Sequence, residues 1–178
     1  LASFPPGTSR KQALEILVDM QGHSTDGVGE AHIKDGDFVV NKYPKSLTKM
    51  LRRGVPFLSH LPHNGITICH LRSSTHGHNT LENTHPFVIK DEKNKDKWAI
   101  CHNGVFHEHN TVRLSLSKTV TMKGQTDTEC AAHLINIIGP EKFSEEIDYA
   151  GVFLCLNVSG ELFAVKTGGE LVFIKLPD

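Results

Sequence analysis

The sequence predicts a layered α+β fold rather than a helical bundle or a pure β-barrel. Three observations carry that expectation. Segments with helical periodicity alternate with β runs on both sides of the sequence, several of those runs are apolar enough to be buried, and 178 residues suffice for a sizeable core while fitting one domain. A hydrophobic share of 38% beside a charged share of 22% is that of an ordinary soluble globular chain.

The elements follow in order. Ser9-Arg10-Lys11-Gln12 reads as a capping box, and Ala13, Leu14, Ile16, Leu17 and Met20 fall at helical spacing behind it until Gly22 stops the helix. Val28–Ile33 and Phe38–Lys42 read as strands joined by the turn Lys34-Asp35-Gly36-Asp37. Leu47, Met50 and Leu51 suggest a second, short helix closed by Gly54. Gly65–Leu71 and Trp98–His102 are β runs, and Asp91–Lys97 between them reads as a solvated loop. A longer helix starts at Thr126 or Asp127, with Cys130, Ala131, Leu134, Ile135 and Ile138 as its apolar stripe, and ends before Gly139-Pro140. The runs Tyr149–Val158, Glu161–Lys166 and Glu170–Leu176 complete the β content.

Charge excludes some functions. With 19 basic and 20 acidic side chains the net charge is -1, so no overall field draws the chain to nucleic acid or to an anionic membrane. No apolar run approaches the roughly 18 residues that span a bilayer, and no signal-peptide pattern opens the sequence. Cys69, Cys101, Cys130 and Cys155 form no CxxC pair and read as buried reduced thiols, which makes a cytoplasmic setting the default expectation.

Polar residues concentrate in short motifs where strands end or helices begin, the places where backbone amides are free and side chains converge. These are Asp26-Gly27-Val28-Gly29, His70–Gly77, His102-Asn103-Gly104 and Gln125–Glu129. Arg72 is a solvated strand-end cation or, if it points inward, a fork for a carboxylate. Asn103-Gly104 is a turn or an oxyanion hole, in which an amide and a glycine N–H face a developing negative oxygen. Asp127 is a helix-start carboxylate favoured by the dipole or a partner for an ammonium group. An arginine for carboxylate and an aspartate for amine together describe an α-amino acid head group. The 12 histidines invite a zinc reading, yet no HExxH or Cys/His framework appears and Arg72 would repel a dication. No metal and no cofactor are assigned.

Together the motifs resemble the class II glutamine amidotransferases, the glutaminase branch of the N-terminal nucleophile hydrolases. His70-Leu71-Arg72-Ser73-Ser74-Thr75-His76-Gly77 is similar to the family's H-x-R-x-(A/S)-T-H-G, Asn83-Thr84-His85-Pro86 to its N-x-H-P, His102-Asn103-Gly104 to H-N-G, and Thr126-Asp127-Thr128-Glu129 to (S/T)-D-T-E. Length and the Asp26–Gly29 motif look most like the small stand-alone bacterial and phage members. The resemblance implies a four-layer αββα sandwich, with residues 1–178 as a single amidotransferase domain. It implies that Arg72 binds the glutamine α-carboxylate with help from Thr75 and His76, that Asp127 holds the α-amino group, and that Asn103 and Gly104 form the oxyanion hole. It further implies a free glutamine substrate, and an ammonia-accepting synthase as a partner in trans.

The family's nucleophile is an N-terminal cysteine whose free amine relays the proton. This chain begins Leu1-Ala2-Ser3-Phe4, so the resemblance implies a cysteine immediately before Leu1. The alternative is a catalytically inactive glutamine-binding or structural protein on the same fold.

Overall fold

The computed structural model describes residues 1–22, 24–74 and 78–168. Two four-stranded antiparallel sheets lie face to face. The first holds β1 (Ala2–Phe4), β2 (Gly27–Lys34), β3 (Asp37–Tyr43) and β4 (Thr67–Arg72) in the order β1-β4-β2-β3. The second holds β5 (Phe87–Lys90), β6 (Asp96–Val105), β7 (Ala150–Asn157) and β8 (Leu162–Thr167) in sequence order.

Each sheet packs apolar side chains on both faces, because each is covered twice. Alternation sends Cys69 and Leu71 outward, where they meet Ala13 and Leu17 of α1 (Arg10–Gln21) and Leu47 and Met50 of α2 (Leu47–Arg52). Ile100, Phe153 and Cys155 of the second sheet meet Ala131 and Ile135 of α4 (Asp127–Ile138) and Phe143 of α5 (Pro140–Glu146). Ala31, Ile68, Ala99, Cys101, Leu154 and Leu156 fill the space between the sheets. The result is the expected αββα sandwich. Each fully buried large side chain among these stabilises it by about 1.5–3 kcal/mol.

Local sequence explains most boundaries. Ser9 Oγ accepts from Gln12 N while Gln12 Oε1 accepts from Ser9 N, closing the capping box, and α1 stops at Gly22 with φ 44°. Asp35 and Gly36 both take positive φ (53° and 84°), as a two-residue turn between twisted strands requires. All four cysteines are free and buried. No helix among the described residues is long and apolar enough to cross a membrane.

Several expectations are corrected. Asp96 and Lys97, read as loop, begin β6, and β5 was not anticipated at all. Asn103-Gly104 is not a turn: it continues β6 and pairs with Val152 and Gly151 of β7. Met20, assigned to the apolar stripe of α1, is 43% exposed. Two helices were missed, α3 (His109–Leu116) and α5. The run Glu170–Leu176 lies outside the described residues.

Candidate functional site

A cavity of about 450 Å³ opens where the ends of β4 and β6 meet the start of α4, and Leu1, His70, Arg72, Asn103, Gly104 and Asp127 line it. Strand alternation places them there. Ile68 faces the space between the sheets, so His70 and Arg72 follow on the same face; Ala99 and Cys101 do likewise, which assigns Asn103 to that face. His102, one residue out of phase, turns to the helix side and stacks on Phe153 with ring centroids 3.8 Å apart.

Arg72 resolves the first alternative, being only 3% exposed. Its Nη1 donates to Asn79 Oδ1 at 2.8 Å, and Asn79 Nδ2 in turn donates to Asp26 Oδ1 at 3.2 Å. Asp26 Oδ2 also accepts from Ser74 N at 2.8 Å, the largest cause holding its carboxyl below the usual range. Burial lowers the guanidinium's proton affinity, while the charges of Asp26 and Asp127 raise it. This orienting network was not anticipated. The Asp26–Gly29 motif was its visible sign, but Asn79 carried no signal.

Asp127 is the first residue of α4, behind the cap Thr126, whose hydroxyl accepts from Glu129 N at 3.3 Å. It is 4% exposed, and its oxygens accept from Phe106 N at 2.8 Å and Thr128 N at 2.9 Å. Those bonds occupy one lone pair on each oxygen and fix the carboxylate towards the cavity it lines.

Gly104, at φ 152°, sits where a Cβ would collide with the Ala150 carbonyl oxygen, so glycine is required there. Gly29 has a parallel reason: a Cβ would strike the carbonyl oxygen of His85. Asn83, of the Asn83–Pro86 motif, ties two loops together by accepting from Gln125 N at 2.7 Å and donating to the His78 carbonyl at 2.9 Å.

Three buried imidazoles surround the cavity floor. Burial pushes His70 and His85 well below the ordinary range, and lowers His102 against the opposing charge of Asp127. Of the further site residues expected from sequence, Thr75 and His76 lie outside the described residues. No group of three or more His, Cys, Asp or Glu among the described residues is arranged to hold a metal ion.

The cysteines in the chain are poorly suited to attack. Burial raises Cys69, and pushes the Cys101 thiol up to about 12, so neither presents a thiolate near neutral pH. The α-nitrogen of Leu1, by contrast, is withdrawn from solvent beside this cavity, and extending the β1–β4 register by one residue sets Leu1 opposite His70.

Two antiparallel sheets between helical layers, with a polar cavity at the end of the inter-sheet space, define the sandwich class to which solved amidotransferases belong. The glutamine phosphoribosylpyrophosphate amidotransferase of B. subtilis, solved with ADP and GMP, superposes with a TM-score of 0.68 at 21% identity, over 88% of this chain and 34% of that one. The family model for class-II glutamine amidotransferases matches residues 15–157, and this chain belongs to that family. Among its relatives is a glutamine--fructose-6-phosphate aminotransferase of Clostridium perfringens, 31% identical over 178 residues, covering 92% of this chain and 28% of that protein. A probable enzyme of the same name from Acanthamoeba polyphaga mimivirus is 25% identical over 89% of this chain and 27% of its own length. The chain thus spans little more than a quarter of these relatives.

Proposed function

We propose that the chain is a glutamine-hydrolysing domain that converts the side-chain amide of glutamine to glutamate and ammonia. The observation that carries the proposal is one cavity lined by a buried arginine, a buried aspartate and an Asn-Gly pair. Arg72 takes the α-carboxylate as a bidentate fork and Asp127 takes the α-ammonium. That clamp leaves the side-chain amide to reach Asn103 and Gly104, whose amide and N–H stabilise the oxyanion.

The nucleophile in this reading is a cysteine joined to the nitrogen of Leu1, whose place beside the cavity supports it. Its thiolate attacks the amide carbon, ammonia leaves with a proton relayed through the cysteine's free amine, and water then cleaves the thioester to glutamate. Residues 1–178 serve as one such domain, with glutamine as the substrate. The ammonia passes to a synthase that consumes it, and the likeness to glutamine--fructose-6-phosphate aminotransferases makes an aminotransferase of sugar phosphates one candidate.

The test is glutamate release from glutamine by the natural polypeptide, with intact mass fixing the residue before Leu1. A mature N-terminal cysteine with turnover supports the proposal. A natural N-terminus at Leu1 without turnover sinks it and leaves a glutamine-binding protein.

A further inference from the structure

We propose that His70 is a positioning residue for glutamine hydrolysis, locking the strand that ends in Arg72 to the strand that carries Asn103 and Gly104. The proposal rests on the glutamine-hydrolysing reading above. β5 begins at Phe87, opposite Ile100, so past Ile100 β6 has a ladder partner only in β7. On this half-paired stretch the carbonyl oxygen of His102 lies 2.8 Å from His70 Nε2. A carbonyl only accepts, so Nε2 carries the proton and the ring stands in for the absent neighbouring strand. The bond crosses from one sheet to the other.

The donor is itself held. His70 is 5% exposed, and its ring packs on that of His85 with centroids 4.1 Å apart. Burial keeps the ring neutral, which preserves the tautomer. On its other side His102 is fixed through its own ring. Nε2–H donates to the Ala150 carbonyl at 3.2 Å, and Nδ1 accepts from the Thr128 hydroxyl at 3.2 Å. The residue immediately before Asn103 is therefore pinned by β4 on one side and by β7 and α4 on the other. Removing the His70 donor leaves a buried carbonyl unpaired and frees the peptide that aims the oxyanion donors. A displacement near 1 Å at such a place costs on the order of 100-fold in rate.

The competing view is that His70 merely fills space between the sheets, and two substitutions separate the two. His70→Gln keeps an N–H donor at similar reach, whereas His70→Leu fills the volume without one. In steady-state hydrolysis by the natural polypeptide, His70→Leu lowers kcat by roughly 10- to 100-fold. KM stays within a few-fold, because Arg72 and Asp127 keep their own partners. His70→Gln recovers most of kcat. A folded His70→Leu variant with unchanged kcat, equal loss in both variants, or a loss confined to KM overturns the proposal. Nitrogen-15 NMR of the wild-type rings supplies a readout independent of activity and of variant folding. A His70 Nε2–H in slow exchange supports the lock, and an Nδ1–H tautomer refutes it. Absence of glutamine turnover in the natural polypeptide overturns the hydrolase reading instead, and the NMR result still decides the lock.

Discussion

The two sides of the cavity are built differently. The side that offers Arg72 is organised by side chains: Asn79, Ser74 and Asp26 hold one another and the guanidinium through bonds of 2.6 to 3.2 Å, with Ser73 and Asn79 exposed. The side that offers Asp127, Asn103 and Gly104 is organised by backbone. Two main-chain N–H groups hold Asp127, and the Ala150 carbonyl walls in Gly104. Backbone-built sites tolerate little change of shape, because a strand held by β7 on one side and by the His70 ring on the other cannot shift one residue alone. Side-chain networks on a loop give way gradually, since water replaces a lost partner. The arrangement suits the proposed chemistry, in which the oxyanion donors need fixed geometry and the head-group anchor needs mainly charge.

That contrast predicts unequal responses. Gly104→Ala has the largest effect: the added Cβ meets backbone that cannot retreat, so glutamate production drops below detection and chemical denaturation shows a loss of about 3 kcal/mol. Comparable turnover in that variant would break the distinction. Asn79→Ala, on the other side, removes one partner of Arg72 from an exposed loop. KM for glutamine rises about 5-fold with kcat unchanged, the worth of roughly 1 kcal/mol. A fall in kcat there would mean that the loop also aims the reacting groups.

A further consequence is a pH dependence of stability. His70, His85 and His102 have folded proton affinities below the ordinary imidazole value of about 6.5. Below that pH the unfolded chain binds more protons than the folded one, so stability present at neutral pH is lost as pH falls. Each ring contributes at most about 1.4 kcal/mol per pH unit. Denaturant midpoints between pH 7 and 5 read the slope, and His70→Leu makes it shallower. An unchanged slope in that variant shows that His70 is not the buried neutral ring described.

The same division explains what was legible in the sequence. α1 and α4 carry both a cap and an apolar stripe, and the β2–β3 hairpin carries its Asp-Gly turn, so local chemistry alone marks them. α3 buries no residue and its first residue has no side-chain cap, which left neither signal to find. α5 begins at Pro140: Gly139-Pro140 reads as the stop of α4, and the proline is at the same time the first turn of the next helix. β5 has four residues and owes its existence to pairing with β6, a contact no local pattern encodes. In the site, Arg72, Asn103, Gly104 and Asp127 stand in compact motifs and were singled out. Asn79 and the floor formed by His102 and Thr128 depend on which strand ends meet, and only the fold brings them to the cavity.

The central claim is that Arg72 reads the α-carboxylate of glutamine, and a comparison of substrates tests it most directly. The quantity is kcat/KM for glutamine and for 4-aminobutanamide, which keeps the amine and the amide but lacks the carboxylate, in wild type and Arg72→Ala. The account predicts that the substitution lowers kcat/KM for glutamine by roughly 100-fold or more, as loss of a charge-assisted pair requires, and leaves the slow turnover of 4-aminobutanamide unchanged. Equal losses on both substrates, or none on either, would contradict it.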